Sequence, residues 1–355
     1  MTDHAASPIR LLTPDGKLCP NDLVTAEISA DLCRDLYRKM VLARRFDAEA
    51  LALQRQGELG LWLQCAGQEA AQVGSICALD EQDYVFPSYR EHAAALCRGI
   101  TPREILAQWR GSSHSGWAPD HRRFHITTLV LASQLLHATG YAMGIQRDGA
   151  VELTMAYFGD GASSQGDANE AFNWAAVAGA PVLFFCQNNQ WAISTPASVQ
   201  TRAPLFQRAR GFGMEGYSVD GNDVLAVHAV TRLAAEYVRG GGGPALIEAV
   251  TYRMGGHSSA DDPRRYRSDS DVDRWRELDP IDRLRRLLDN QGWADETFHA
   301  AVNAEGRELA AQARRDCLNL GAPAPDALWR NVMAHRTVAG REEREYYLRY
   351  AESFS

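Results

Sequence analysis

Lysine is almost missing from this chain of 355 residues. Of its 37 basic residues only Lys17 and Lys39 are lysines; the rest are arginines. A phosphate-binding loop needs Gly-Lys-Ser/Thr, which the chain does not contain. A Schiff-base mechanism is not expected either, because both lysines precede the first strand pattern. Long apolar runs are missing as well: none reaches the roughly 18 residues that a membrane span requires. The seven cysteines include no Cys-x-x-Cys pair, and their number is odd. A zinc site or disulfide framework is therefore a poor reading, and reduced, mostly buried thiols are expected. Excess positive charge is lacking too. The net charge of −8 argues against a protein that coats nucleic acid, whose phosphate contacts need a basic face. The N-terminal MTDHAASPIRLL has no basic start and no long apolar stretch, so the expected location is cytoplasmic.

What the chain does have is a globular composition, 45% apolar and 23% charged, enough for one large α/β domain or two ordinary ones. Residues 1–27 read as an irregular arm. Helical spacing of Ile28, Leu32, Leu36, Met40 and Phe46 predicts a long amphipathic helix to about Arg55. Residues 67–80 predict a second helix and 83–89 a short strand. Two short helices follow, the second capped by Thr101 with Pro102 in its first turn and Glu104 completing a capping box. Residues 111–127 read as a loop, and 131–149 return to helix. From there strands alternate with helices: strand 151–158, helix 166–178, strand 181–187, strand 216–220, a helix capped near Asn222, and strand 244–253. Near-continuous apolar strands in that alternation predict a parallel sheet with helices on both faces. The division expected is an arm (1–27), an α/β domain (28–270) and a helical C-terminal region (271–355).

The informative stretch is GDGASSQGDANEAFNWAAVAGAPVLFFCQNN, residues 159–189. Gly159-Asp160-Gly161 follows one strand and Asn188-Asn189 the next. In a parallel sheet these ends share an edge, about 5 Å apart if the strands are neighbours. That edge is where open α/β sheets bind ligands. Asp160 offers a carboxylate and Asn189 a carbonyl oxygen, hard ligands suited to Mg²⁺. Gly161 and Ala162 allow close backbone approach, and the helix beyond offers free N–H groups to a phosphate. The bland alternative is a tight turn and an ordinary loop; the spacing across a complete strand–helix–strand unit favours a metal-diphosphate site.

Gly-Asp-Gly followed by Asn-Asn resembles the thiamin diphosphate motif. The wider sequence resembles the α subunit of the decarboxylating component of 2-oxo acid dehydrogenase complexes. The likeness runs from about residue 28 to 340 and includes GQEAAQVGS, YRE (89–91), QNNQWAIST (187–195), VDGND (219–223) and EAVTYRMGGHSSADDP (248–263). Asp261-Asp262 and WAIST look more like the branched-chain branch than the pyruvate branch. The resemblance implies a thiamin diphosphate-binding α/β fold. It implies Asp160, Asn189 and the backbone oxygen of Trp191 as Mg²⁺ ligands. Gly159, Gly161, Ala162, Tyr89, Arg90 and Gln187 would line the diphosphate, and Leu131 the aminopyrimidine. His257 would stand near the reacting ring as a catalytic residue. Thr128, Val130, Ser133 and Gln134 match positions that hold a potassium ion in branched-chain relatives.

This chain departs from the family at several positions. Gln187 replaces an arginine, Trp191 a tyrosine and Ser88 a glutamine. Leu129 and Val130 stand where the family has a small polar residue and a proline, which makes the substrate pocket more apolar. The loop at 111–127 is shorter, with His114 a candidate replacement for the family's catalytic loop histidine. His125 is a second loop candidate, and His137 is expected to pack on its helix face. The implied reaction is decarboxylation of a 2-oxo acid with acyl transfer to a lipoyl-bearing acyltransferase component. A β subunit in an α2β2 assembly would supply the second half of the cofactor site. Pyruvate or acetoin dehydrogenation is the alternative within the family. From another class, a non-catalytic Mg²⁺-diphosphate-binding scaffold is the alternative.

Overall fold

The computed structural model describes residues 7–24, 27–330 and 332–354. The first six residues of the predicted arm, with 25 and 26, lie outside them. Five strands form one parallel sheet: β1 (Tyr84–Phe86), β2 (Thr154–Gly159), β3 (Val182–Asn188), β4 (Glu215–Asp220) and β5 (Ala245–Val250), in the order β1-β2-β3-β5-β4. Successive side chains of a strand face opposite sides of the sheet. Met155 and Tyr157 of β2 and Leu183 and Phe185 of β3 join one apolar cluster; Ala156, Phe158, Phe184 and Cys186 join the other. Both faces are covered, which is why these strands read as continuous apolar runs.

One face carries the helices α1 (Ala30–Arg55), α2 (Glu69–Ile76), α3 (His92–Cys97) and α4 (Pro102–Trp109). Ser29 caps α1 by accepting from the Leu32 N–H, and the Thr101–Glu104 capping box of α4 is formed as its sequence predicts. The other face carries α5 (Ser133–Asp148) and α6 (Gly166–Ala178). Helix α7 (Val224–Tyr237) joins β4 to β5, and α8 (Pro280–Asn290) and α9 (Glu296–Leu318) follow the sheet. Helix α9 lies along α1. A Cβ at Gly306 would come within 2.8 Å of Arg45 Cγ, so glycine there sets how closely the two helices approach.

Three expectations are corrected. The predicted loop 111–127 contains a helical turn at Pro119–Arg122. Helix α7 is capped by Asp223, whose carboxylate accepts from the Leu225 and Ala226 N–H groups. The arm is not irregular throughout: Ile9 lies beside Val219 of β4, donating to Ser218 O at 2.8 Å and accepting from Asp220 N at 2.9 Å. It covers the sheet's outer edge, whose unpaired groups would otherwise invite other strands. A single bridging residue has no periodicity to read.

Asp223 is the knot of this region. Its Oδ2 accepts from the N–H groups of Leu11 at 2.8 Å and Leu12 at 2.6 Å, and Arg283 Nη2 lies 3.5 Å away. Both side chains are buried. Replacing Asp223 by Ala leaves Arg283 its nearer carboxylate, Asp220 at 2.9 Å, but uncaps α7 and strands the buried Leu11 and Leu12 N–H groups. The expected cost is about 2–4 kcal/mol, measured as a lowered urea midpoint, with the arm becoming the first segment cut in limited proteolysis.

Candidate active site

The β2–β3 register sets Gly159 opposite Gln187. Asp160 and Asn189 therefore leave the same edge of the sheet together. Asp160 opens a short 3-10 turn, Asp160–Ser164, which leads to α6. A Cβ on Gly161 would meet Ala192 Cβ at 2.7 Å, so this turn can lie against the 191–192 segment only with glycine. A cavity of about 460 Å³ opens here. Its walls include Tyr89 and Arg90 beyond β1, and Leu131 ahead of α5. From the β2 turn come Gly159, Asp160, Gly161 and Ala162, from the β3 end Gln187, Asn189 and Trp191, and from beyond β5 His257. The structure thus gathers residues from five separate segments. His114 is not among them: it is exposed in the 111–127 segment and does not line this cavity. His137 is also exposed, facing His125 at a ring distance of 6.4 Å, rather than packed.

Asp160 is only 3% exposed. Burial pushes its carboxyl above the ordinary value, and its side-chain partner is a neutral amide, Gln200 Nε2 at 3.0 Å. Arg90, also buried, is fixed to backbone: Nη1 donates to Gln64 O at 2.6 Å and Nη2 to His257 O at 2.9 Å. Arg253 ties the opposite wall, donating to Trp191 O at 3.1 Å and Ile193 O at 2.8 Å. The His257 N–H donates to Asp261 Oδ2 at 2.7 Å. Gln187, where an arginine was expected by resemblance, donates to the buried Glu91 at 2.6 Å and accepts from Gln72 at 3.2 Å. Burial raises the Glu91 carboxyl, and no cation replaces the missing arginine at Gln187 itself.

Three participants carried no signal of their own in the sequence. Gln68 accepts from Asn189 Nδ2 at 3.0 Å, while its own amide nitrogen is buried without a partner. Gln200 and Arg253 touch Asp160 and Trp191 as described. Gln68 and Arg253 sit inside the GQEAA and TYR segments, so the motifs held them without distinguishing them; Gln200 lies in no motif. At the mouth, Leu129 and Val130 line the cavity yet are 55% and 67% exposed. The mouth is apolar and unfilled by the chain's own side chains.

A ligand cavity at the carboxyl edge of a parallel sheet, with a helix N-terminus, a fixed arginine and a buried carboxylate around it, is the site of a ligand-binding α/β enzyme. The sequence matches the family model of the dehydrogenase E1 component over residues 37–321, and the chain belongs to that family. The family implies thiamin diphosphate. The chain is 44% identical over 339 residues to the 3-methyl-2-oxobutanoate dehydrogenase subunit alpha of Mycobacterium tuberculosis, covering 95% of this chain and 92% of the relative. It is 36% identical over 306 residues to the pyruvate dehydrogenase E1 component subunit alpha of Staphylococcus aureus, covering 85% and 82%. The corresponding Bacillus cereus subunit is 36% identical over 307 residues, covering 86% and 82%. No helix of the described residues is long and apolar enough to cross a membrane.

Burial, with Arg90 and Arg253 nearby, depresses His257 to about 4. The folded value lies below the usual 6.5, so protonation opposes the folded site. Its contribution is complete above about pH 6.5 and is lost as pH falls toward 4. Histidine NMR titration should place this imidazole near 4, and His257→Gln should flatten the stability profile between those values. An imidazole titrating above 6 would refute the placement.

Proposed function

We propose that this chain is the α subunit of a branched-chain 2-oxo acid dehydrogenase, a decarboxylating and lipoyl-acylating oxidoreductase that uses thiamin diphosphate with Mg²⁺. The observation that carries the reading is Asp160. A buried carboxylate whose side-chain partner is an uncharged amide is a group that a cation completes. Asn189 Oδ1 and the Trp191 carbonyl are the matching hard oxygen donors. The glycine-tight turn at 159–161, Arg90 and the N-terminal end of α6 suit a diphosphate. The Gln134 carbonyl oxygen is buried without a partner, and the Ser133 hydroxyl lies 2.9 Å from the Val130 carbonyl and 3.5 Å from the Thr128 hydroxyl; this donor set supports a potassium site.

Thiamin diphosphate, when bound, supplies the electron sink for loss of CO₂. The chain's own residues hold the site together. Arg90 is aligned by backbone carbonyls, Asp261 fixes the backbone of the His257 loop, and His257 stays neutral at neutral pH, an uncharged imidazole that can hydrogen-bond the reacting group. Leu129 and Val130 give the substrate an apolar entrance. The 44% identity to a branched-chain subunit over nearly the whole chain supports the substrate class. A β subunit is needed for the other half of the cofactor site in an α2β2 assembly, and a lipoyl-bearing acyltransferase takes the acyl group, all in the cytoplasm.

Calorimetry of thiamin diphosphate with Mg²⁺ on the copurified αβ pair tests the site. Asp160→Ala should abolish binding, because the anionic ligand of a doubly charged ion is gone; unchanged affinity would sink the assignment. His257→Ala should keep the cofactor yet slow lipoyl acylation by roughly 10²–10⁴-fold, the scale of one proton-transfer group.

The second test concerns the acyl chain. In kcat/KM, 3-methyl-2-oxobutanoate should exceed pyruvate by roughly tens-fold, since each buried methylene contributes about 1 kcal/mol. Leu129→Ser should narrow the ratio. A preference for pyruvate would move the chain to the other branch of the family.

A further inference from the structure

Gln68 stands at the N-cap of α2, a position that helices usually give to Ser, Thr, Asp or Asn, and its side chain makes no capping bond there. It reaches instead to Asn189, 121 residues further along the chain. The backbone around it is held on both sides. The Gly67 carbonyl accepts from the Thr251 hydroxyl, just beyond β5, at 2.9 Å, and Glu69 accepts from Arg44 of α1 at 2.8 Å. Gln68 is fully buried and lines the cavity.

Hydrogen bonds fix which way both amides face. The Trp191 N–H donates to the Asn189 side chain at 3.3 Å, so the atom it meets is the carbonyl oxygen, Oδ1. The other end of that amide is then the donor Nδ2, which needs an acceptor and finds Gln68 Oε1 at 3.0 Å. This leaves Nε2 as the free end of Gln68, and that nitrogen is buried without a partner. Among the described residues that line the cavity, it is the one buried side-chain donor left so. Native structures seldom leave such a donor unpaired. Gln187, where the resemblance placed an arginine, is engaged by Glu91 and Gln72. Asn189 Oδ1 keeps a second lone pair for a cation.

We propose that Gln68 is a positioning and binding residue of this site, with a separate task for each end of its amide. Its carbonyl oxygen holds the Asn189 amide so that Oδ1 stays available to Mg²⁺. Its Nε2 donates to an oxygen of the diphosphate. The inference rests on the reading of Asp160 and Asn189 as a Mg²⁺–diphosphate site. A neutral amide suits the place, because a cation here would oppose the metal and a carboxylate would repel the phosphates.

Calorimetry on the copurified αβ pair tests both tasks, with two titrations for each variant: thiamin diphosphate at saturating Mg²⁺, and Mg²⁺ at saturating thiamin diphosphate. Gln68→Met has nearly the same shape and neither polar end. It should weaken thiamin diphosphate by roughly 10–100-fold, the scale of one hydrogen bond to a charged group, and should raise the Mg²⁺ half-saturation as well. The urea midpoint of the cofactor-free pair should stay near wild type. Gln68→Glu keeps the acceptor for Asn189 and loses the donor. It should weaken thiamin diphosphate as well, yet leave the Mg²⁺ half-saturation no higher than wild type. Asp160→Ala is the control. If it abolishes binding while Gln68→Met binds as wild type does, the site stands and this proposal falls; if Asp160→Ala binds normally, the reading of the site itself falls. A Gln68→Glu variant that binds thiamin diphosphate as wild type does, or that raises the Mg²⁺ requirement as much as Gln68→Met, would overturn the donor or the alignment of Asn189 respectively. A lowered midpoint with unchanged affinities would make Gln68 a packing residue only.

Discussion

The register of two neighbouring strands decides where everything else must stand. Gly159 pairs with Gln187, so the turn after β2 and the loop after β3 leave the sheet side by side. Side chains alternate along a strand, and a slip of one residue would exchange its faces. Phe158 and Cys186 would leave the cluster they share, and Asp160 would no longer meet the loop carrying Asn189 and Trp191. Burial on both faces makes such a slip prohibitively costly. The same hydrophobic patterning that builds the core thus positions a polar site that contributes nothing to that core.

Charge around the cavity is held with little freedom. Arg90 and Arg253 spend their donors on backbone carbonyls from other loops, so each guanidinium braces the wall it belongs to. The buried carboxylates are treated differently. Glu69 is paired with Arg44, whereas Asp160 and Glu91 are met by amides from Gln200 and Gln187. An uncharged partner leaves the anion's electrostatic demand unmet. At Asp160 that demand faces a cavity; at Glu91 it is absorbed by the Ser88 N–H and hydroxyl as well.

What the sequence disclosed and what it withheld divide along a physical line. Strand and helix patterns around Gly159-Asp160-Gly161 and Asn188-Asn189 were legible because they are local, and parallel pairing then implied their proximity. The capping box at Thr101 and Glu104 was legible for the same reason. Gln200, Arg253 and Ile9 act through single long-range hydrogen bonds, and no spacing rule marks such a residue. His114 is the reverse case: a residue type suited to the chemistry, in a loop shorter than the family's, which the chain path leaves exposed and away from the cavity. The cap at Asp223, one residue from the expected Asn222, turned on which carboxyl also had to anchor the arm.

The packing of α1 along α9 has a consequence for how the protein comes into being. Protein chains are made from the N-terminus, and α1 is among the first elements to leave the ribosome. Part of its buried face, however, meets Val302, Ala313 and Cys317, which are synthesised only after the whole sheet. Until Leu318 emerges, α1 carries an apolar stripe with no permanent cover. The nascent chain must hold that stripe in transient contacts, or lend it to a chaperone, for most of its synthesis.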